Sequence, residues 1–279
     1  MTNKPKPKTY GKKRPVERIG VEDRKIMDST WGYIGNAERF AETYVLDLKL
    51  EPMSFLINSK NPKEQVFIAG PGMGEEIKLL KNYVKSKSGP ELDVETFALT
   101  NNLSPEAKKQ IKKDYSLGFA LDHTDLRDPQ QLRLFKKFEK KFKLIMATKS
   151  TSFHTQYPEY SSFLLATTLK SGGRAYLEIL NSDSIRFHSR VLLEKRKEET
   201  DPQRIQRIDD VLNDSRKLLL RLKKIDAVIL RMLSSYYKKP LEEIKKEFNI
   251  KQISGEVTYP VFFDHIERFN STYIVIDRK

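Results

Sequence analysis

The sequence predicts an α/β protein: a doubly wound, mostly parallel seven-stranded sheet with an N-terminal helical cap and a helical insertion before the last two strands. Three observations predict it. Between residues 61 and 180, short apolar runs of strand length alternate with segments of helical periodicity. The connections between them are short, as a parallel sheet covered on both faces requires. A charged helical stretch then occupies 185–248, after which two strand-like runs close the chain.

Residues 1–18 hold seven Lys/Arg against one Glu, with three Pro and one Gly. Such a stretch buries too little apolar surface to offset its ordering entropy, so it reads as a flexible basic tail. From Val21 to Ile57, Trp31, Tyr33, Ile34, Phe40, Tyr44, Val45 and Leu48 recur near helical spacing, and this becomes the cap. Gln65–Ala69 is the first strand and ends at Gly70-Pro-Gly-Met-Gly; Glu75–Lys87 is the helix that follows. Val94–Leu99 is the second strand, and Ser104-Pro opens a helix with Ser at the N-cap and Pro at the first helical position. Gly118–Leu121 is a third short strand. Asp128-Pro starts a helix that the pattern carries to Phe142. Leu144–Thr148, the helix Pro158–Leu169 and the strand Arg174–Leu180 follow. Val211–Tyr237 reads as one long amphipathic segment, and Ile250–Tyr259 and Thr272–Asp277 are the closing strands. The implied domain organisation is a tail at 1–20, a cap at 21–60, a core at 61–184, an insertion or lid at 185–248 and the last strand pair at 249–279.

The 279 residues include 52 Lys+Arg and 38 Asp+Glu, a formal charge of +14, and 38% are apolar, enough for a sizeable core. Cysteine is absent, which excludes disulfide frameworks, thiolate nucleophiles and Cys-ligated metals. Four scattered His give no metal-ligand spacing, so no metal is expected. No apolar run reaches the ~18 residues of a membrane span, and the N-terminus has no apolar h-region. The expectation is a soluble cytoplasmic protein without a membrane partner, nuclear only if made in or delivered to a eukaryotic cell.

The strand–glycine turn–helix unit carries the chemistry. Gly70, Gly72 and Gly74 let the backbone turn sharply at the carboxyl edge of a strand, and they keep side chains out of a ligand's way. The turn is not a phosphate-binding Walker loop. No Gly-Lys-Ser/Thr follows, and Glu75 and Glu76 stand where a phosphate would lie. Position 75 also lacks the small residue of a dinucleotide fingerprint. The turn therefore favours a ligand without a pyrophosphate.

The run VFIAGPGMGEEIKLL resembles the first motif of class I (Rossmann-like) S-adenosylmethionine-dependent methyltransferases. ALTNNLSPEAKK resembles the family's second strand and next helix, and LDHTDL the stretch after its third strand. FKLIMATKSTSFH and LLATTLKSGGRAYLEI resemble its fourth strand and the helix–Leu-Lys-x-Gly-Gly–strand that leads to the fifth. The motifs stand in family order over residues 61–180, and the closing TYIVIDRK fits the family's ending.

The resemblance implies S-adenosyl-L-methionine as cofactor. Gly70, Pro71, Gly72 and Gly74 would line its methionine and ribose side. Asn102, or Asn101 if the register slips by one, stands where an acid usually accepts both ribose hydroxyls. Asp122 would accept from the adenine amino group with His123 beside it, and Thr148 and Lys149 would face the methyl group. Two residues depart from the pattern: Ile68 replaces the acid two residues before the first glycine, and Asn102 replaces the ribose acid. An amide makes weaker bonds than a carboxylate, so weak cofactor binding is expected.

Without Cys, covalent attack at a pyrimidine carbon is excluded. Ala147-Thr-Lys-Ser also lacks the Asn/Asp-Pro-Pro-aromatic clamp used on exocyclic base amines. A relative that transfers aminopropyl groups would want carboxylates after the fourth strand, where Lys149 has the wrong sign. His154, in a hydroxyl-rich loop, is the first candidate for a catalytic base, and His188 is the second, since the unperturbed pKa of an imidazole, about 6.5, suits proton transfer at neutral pH. A hydrogen-bonded structural His competes with both assignments. Three readings stay open: a methyltransferase acting on an unknown small molecule or protein, one acting on RNA or another polyanion drawn by the basic tail and lysine pairs, and a non-catalytic scaffold signalled by Ile68 and Asn102.

Overall fold

A computed structural model describes residues 63–69, 93–100, 116–120, 135–147, 157–261 and 265–279, with Phe55 and Arg133. The tail, the cap apart from Phe55, and the helices read at Glu75–Lys87 and from Ser104 lie outside the described residues. The strands are β1 (Lys63–Ala69), β2 (Asp93–Thr100), β3 (Ser116–Ala120), β4 (Phe142–Ala147), β5 (Leu169–Ile179), β6 (Phe248–Val261) and β7 (His265–Arg278). They form one mixed sheet in the order β3-β2-β1-β4-β5-β7-β6. The pairs β1–β2, β1–β4, β2–β3 and β4–β5 are parallel, whereas β7 runs antiparallel to both β5 and β6.

Between the strands lie α1 (Pro158–Thr168), α2 (Ser182–Glu198), α3 (Pro202–Leu222), α4 (Ile225–Tyr237) and α5 (Leu241–Glu247). On one face of the sheet Phe67, Ile145, Ala175, Leu177, Ile274 and Ile276 share a core with Phe163–Ala166 of α1 and with Ile225, Ile229 and Leu233 of α4. On the other face Val66, Ile68, Leu144, Met146, Tyr176 and Val275 are equally buried. The unbroken apolar runs of β1 and β4 follow from this, because a strand covered on both faces has no solvent side to mark with polar residues.

Most strand ends shift by one or two residues from the sequence reading, β3 for example spanning Ser116–Ala120 rather than Gly118–Leu121, and four differences matter more. The helix read to Phe142 stops by Lys137: residues 138–140 form a turn with Lys140 at φ 57°, and Phe142 already stands in β4, packed on Phe67 at 5.0 Å. The fifth strand begins at Leu169 rather than Arg174. Val211–Tyr237 is two helices broken at Lys223-Lys224. The closing strands are longer than read, with fourteen residues each.

The early part of β5 explains its glycines. Phe142 pairs with Leu169 but Leu144 with Arg174, so Lys170–Gly173 bulge out of the ladder. A Cβ at Gly173 would lie 2.8 Å from the Lys170 carbonyl oxygen and 2.9 Å from that of Phe142, both backbone atoms that cannot turn aside. Gly173→Ala is therefore expected to cost about 1.5 kcal/mol in urea unfolding, in the range of overpacked sites. Gly172→Ala should cost less, about 1 kcal/mol for its φ of +70°, because there the nearest atom is the movable Lys143 Nζ.

At the amino-terminal edge the buried Glu64 carboxylate accepts from Lys170 Nζ at 2.5 Å, and Arg174 pairs with Asp277. The half-buried ring of Phe55 lies beneath Lys143 and Arg174, at 4.8 and 5.0 Å. On α4 the Tyr236 hydroxyl donates to Glu139 at 3.2 Å, and burial, with the adjacent carboxylate, pushes its pKa up to about 12. The folded state then holds this proton after the unfolded chain has released it. The resulting stabilisation is complete below pH 10 and is lost as pH rises through about 12. Urea midpoints of Tyr236→Phe should therefore fall less between pH 9.5 and 12 than those of the wild type.

Candidate functional site

Doubly wound sheets bind ligands at the carboxyl edge where strand order reverses. Here that point lies between β1, from which the chain steps outward to β2 and β3, and β4, from which it steps the other way to β5. β1 ends at Ala69 and β4 at Ala147, both small and buried, so neither last side chain fills the crevice. β2 ends at Thr100 and β3 at Ala120, on the same edge.

Each sequence-predicted ligand contact follows one of these ends in the chain: Gly70, Pro71, Gly72 and Gly74 follow Ala69; Asn101 and Asn102 follow Thr100; Asp122 and His123 follow Ala120; Thr148 and Lys149 follow Ala147. These residues and His154 lie outside the described residues, so the structure gives the strand ends and not the contacts. Ile68 is described. It is 2% exposed, in register with Ala98 of β2 and Met146 of β4. A buried apolar side chain thus occupies the position where the motif usually has an acid, and it offers a ligand no polar contact. His188 stands on α2, exposed, with its ring 5.9 Å from that of Phe187. Among the described residues no group of three or more His, Asp or Glu could hold a metal, and no helix is long and apolar enough to cross a membrane.

The helices frame the same edge. α1 runs from it to the opposite one, because the Thr168 carbonyl meets the Lys141 N–H just before β4 begins, at 2.8 Å. Tyr157 and Glu159 therefore sit toward the ligand edge. α2 leaves from the end of β5: Asn181 caps it by accepting from the Asp183 N–H at 2.7 Å, and its amide donates to Thr272 Oγ1 at 3.3 Å. α3 packs antiparallel on α2, held by a two-bond pair from Arg196 to Asp209 at 2.5 and 2.9 Å. That pair holds the Asp209 carboxyl below the usual range. α3 returns to the edge at Leu222, whose carbonyl accepts from Gln252 Nε2 of β6 at 3.1 Å.

One residue before Leu222, the Arg221 guanidinium stacks over the Tyr157 ring at 4.9 Å, and its Nε lies 3.4 Å from the Glu159 carboxylate. The Glu159 side chain is 7% exposed. Sequence reasoning missed this node, because neither residue sits in a motif and the two are far apart in the chain.

No protein-family model matches the sequence, and neither does any curated protein. Among solved structures the chain is similar to a SAM-dependent methyltransferase from Anabaena variabilis, at 16% identity over 94% of this chain and 96% of that one, with a TM-score of 0.44. It is also similar to a candidate S-adenosyl-L-methionine-dependent methyltransferase from Methanococcus maripaludis (14% identity, 96% and 97% covered, TM-score 0.38). A third likeness is to a precorrin-6y C5,15-methyltransferase from Geobacter metallireducens (11% identity, 81% and 84% covered, TM-score 0.33). At scores this low the likenesses do not bear on the reaction.

Proposed function

We propose that this chain binds S-adenosyl-L-methionine at the carboxyl edge of β1 and β4 and transfers its methyl group to an acceptor. The observation that carries the reading is a juxtaposition. The glycine turn GPGMG follows directly on the strand that forms one side of the sheet's reversal point, and β1 and β4 both end there in an alanine, with no bulky last side chain. The bound cofactor would supply an electrophilic methyl on a sulfonium. The protein's part is to hold it and align the acceptor in line with it.

In this reading Gly70, Pro71, Gly72 and Gly74 bring backbone close to the cofactor, Asn101 or Asn102 bonds the ribose, and Asp122 with His123 receives the adenine. Thr148 and Lys149 lie toward the methyl group. His154 takes the acceptor's proton, with His188 as second choice. Because Ile68 is apolar and buried, the cofactor is held with fewer charged contacts than the motif usually supplies.

Calorimetric titration with S-adenosylmethionine and S-adenosylhomocysteine tests the reading. Micromolar binding, about −8 kcal/mol, supports it. No heat and no thermal shift at millimolar ligand would leave the non-catalytic scaffold, the reading that Ile68 favours.

A further inference from the structure

The insertion is not uniformly charged. In the α2–α3 hairpin, residues 184–193 and 215–224 hold seven Lys/Arg and no Asp or Glu, whereas 194–214 between them hold five Lys/Arg and seven Asp/Glu. The Arg196–Asp209 pair sets the register, so Phe187 lies about level with Leu218 and both acid-free stretches fall at the same end of the hairpin. That end is the one rooted at the ligand edge, through Asn181 on one side and Leu222 on the other. Six of the seven cations are exposed: Arg186, Arg190, Arg216, Lys217, Lys223 and Lys224. Arg186 pairs with Asp183 and Lys217 with Asp214, but these are solvent-exposed pairs that a phosphate can replace at little cost. The seventh, Arg221, is engaged with Glu159. Four large apolar side chains are exposed within this patch, Phe187 at 61% and Leu220 at 66%, with Val191 and Leu193 less so at 39% each.

We infer that the edge-proximal end of this hairpin docks single-stranded nucleic acid: the six exposed cations take the phosphates, and Phe187, with Arg186 before it and Arg190 one turn on, stacks a base. A single strand suits the patch because its unpaired bases expose the faces that an aromatic ring stacks on. An anionic membrane suits it less. A helix lying in a lipid interface needs a continuous apolar face, and the charged Arg190, Glu194 and Lys197 interrupt the outward side of α2. Docking does not require the cofactor. That the docked strand is the methyl acceptor rests on the reading above.

The test is fluorescence anisotropy of the full chain with a labelled 20-nucleotide oligouridylate, without cofactor, across a salt series. Phe187→Ala should weaken binding about tenfold while Phe187→Trp retains it. Lys223→Gln with Lys224→Gln should reduce the slope of log K against log salt by about 1.4, at 0.7 per phosphate contact on a single strand. Lys195→Gln with Lys197→Gln, at the mixed-charge end, should change neither quantity. All of these positions are exposed, and unchanged thermal midpoints would confirm that the variants fold. Three results would overturn the inference: hairpin variants that bind like the wild type, which would place the affinity in the N-terminal tail; equal losses from both ends of the hairpin; or displacement of the RNA by polyglutamate or phosphatidylserine vesicles at equal charge. None of these depends on whether S-adenosylmethionine binds, so the two readings fail separately.

Discussion

Gly72→Arg is expected to abolish S-adenosylhomocysteine binding, at least a hundredfold loss or about 2.7 kcal/mol, while urea unfolding changes little. Gly72 is the middle glycine of the turn that follows Ala69 at the sheet's reversal point. The function proposed for the turn is close approach of backbone to ligand, and an arginine there fills the approach. It also sets a positive charge against the sulfonium of S-adenosylmethionine, so the methyl donor should suffer more than the neutral homocysteine product. Asp122→Ala removes a charged acceptor rather than the space. Its expected loss is smaller, about tenfold to a hundredfold, as for one hydrogen bond to a charged group. If Gly72→Arg bound both ligands like the wild type, the cofactor would not lie against this turn.

The runs QVFIA, LIMAT and RAYLEIL were legible as strands because strands buried on both faces leave a continuous apolar signature. The errors arose where local chemistry imitates another state. Lys136–Lys141 has the composition of a solvated helix, yet from residue 138 the chain turns, and the Lys140 and Lys141 N–H groups bond the carbonyls of Thr167 and Thr168. Ser171-Gly-Gly has the composition of a loop, but it belongs to the strand's bulge, where Gly173 has no room for a Cβ and Gly172 takes a φ of +70°. Lys223-Lys224 carries no Gly or Pro to announce the break between α3 and α4. At the site, the strand ends and the glycine turn were readable. The Glu159–Arg221–Tyr157 node was not, since tertiary packing alone brings those residues together.

That node yields the second large effect. Arg221→Leu should destabilise the fold by about 2–3 kcal/mol, less than the ~3–5 kcal/mol of a fully buried pair because Arg221 is itself about a third exposed. The loss comes chiefly from what remains: the Glu159 carboxylate keeps its buried place on α1 but loses its cation. The double variant Glu159→Gln/Arg221→Leu leaves no buried charge and should recover most of the deficit, a pattern that the loss of the Tyr157 contact alone cannot produce. Arg221→Lys should recover only part, because an ammonium keeps the charge but not the planar stack over Tyr157. Amide exchange locates the consequence. Asn181 and the Leu222–Gln252 bond still hold the hairpin at the sheet, so exchange should quicken at the end of α3 and the start of α1 more than at residues 194–209. A uniform rise across α2 and α3 would instead mean that Arg221 alone roots the hairpin at the ligand edge, and the docking surface would then move with this one ion pair.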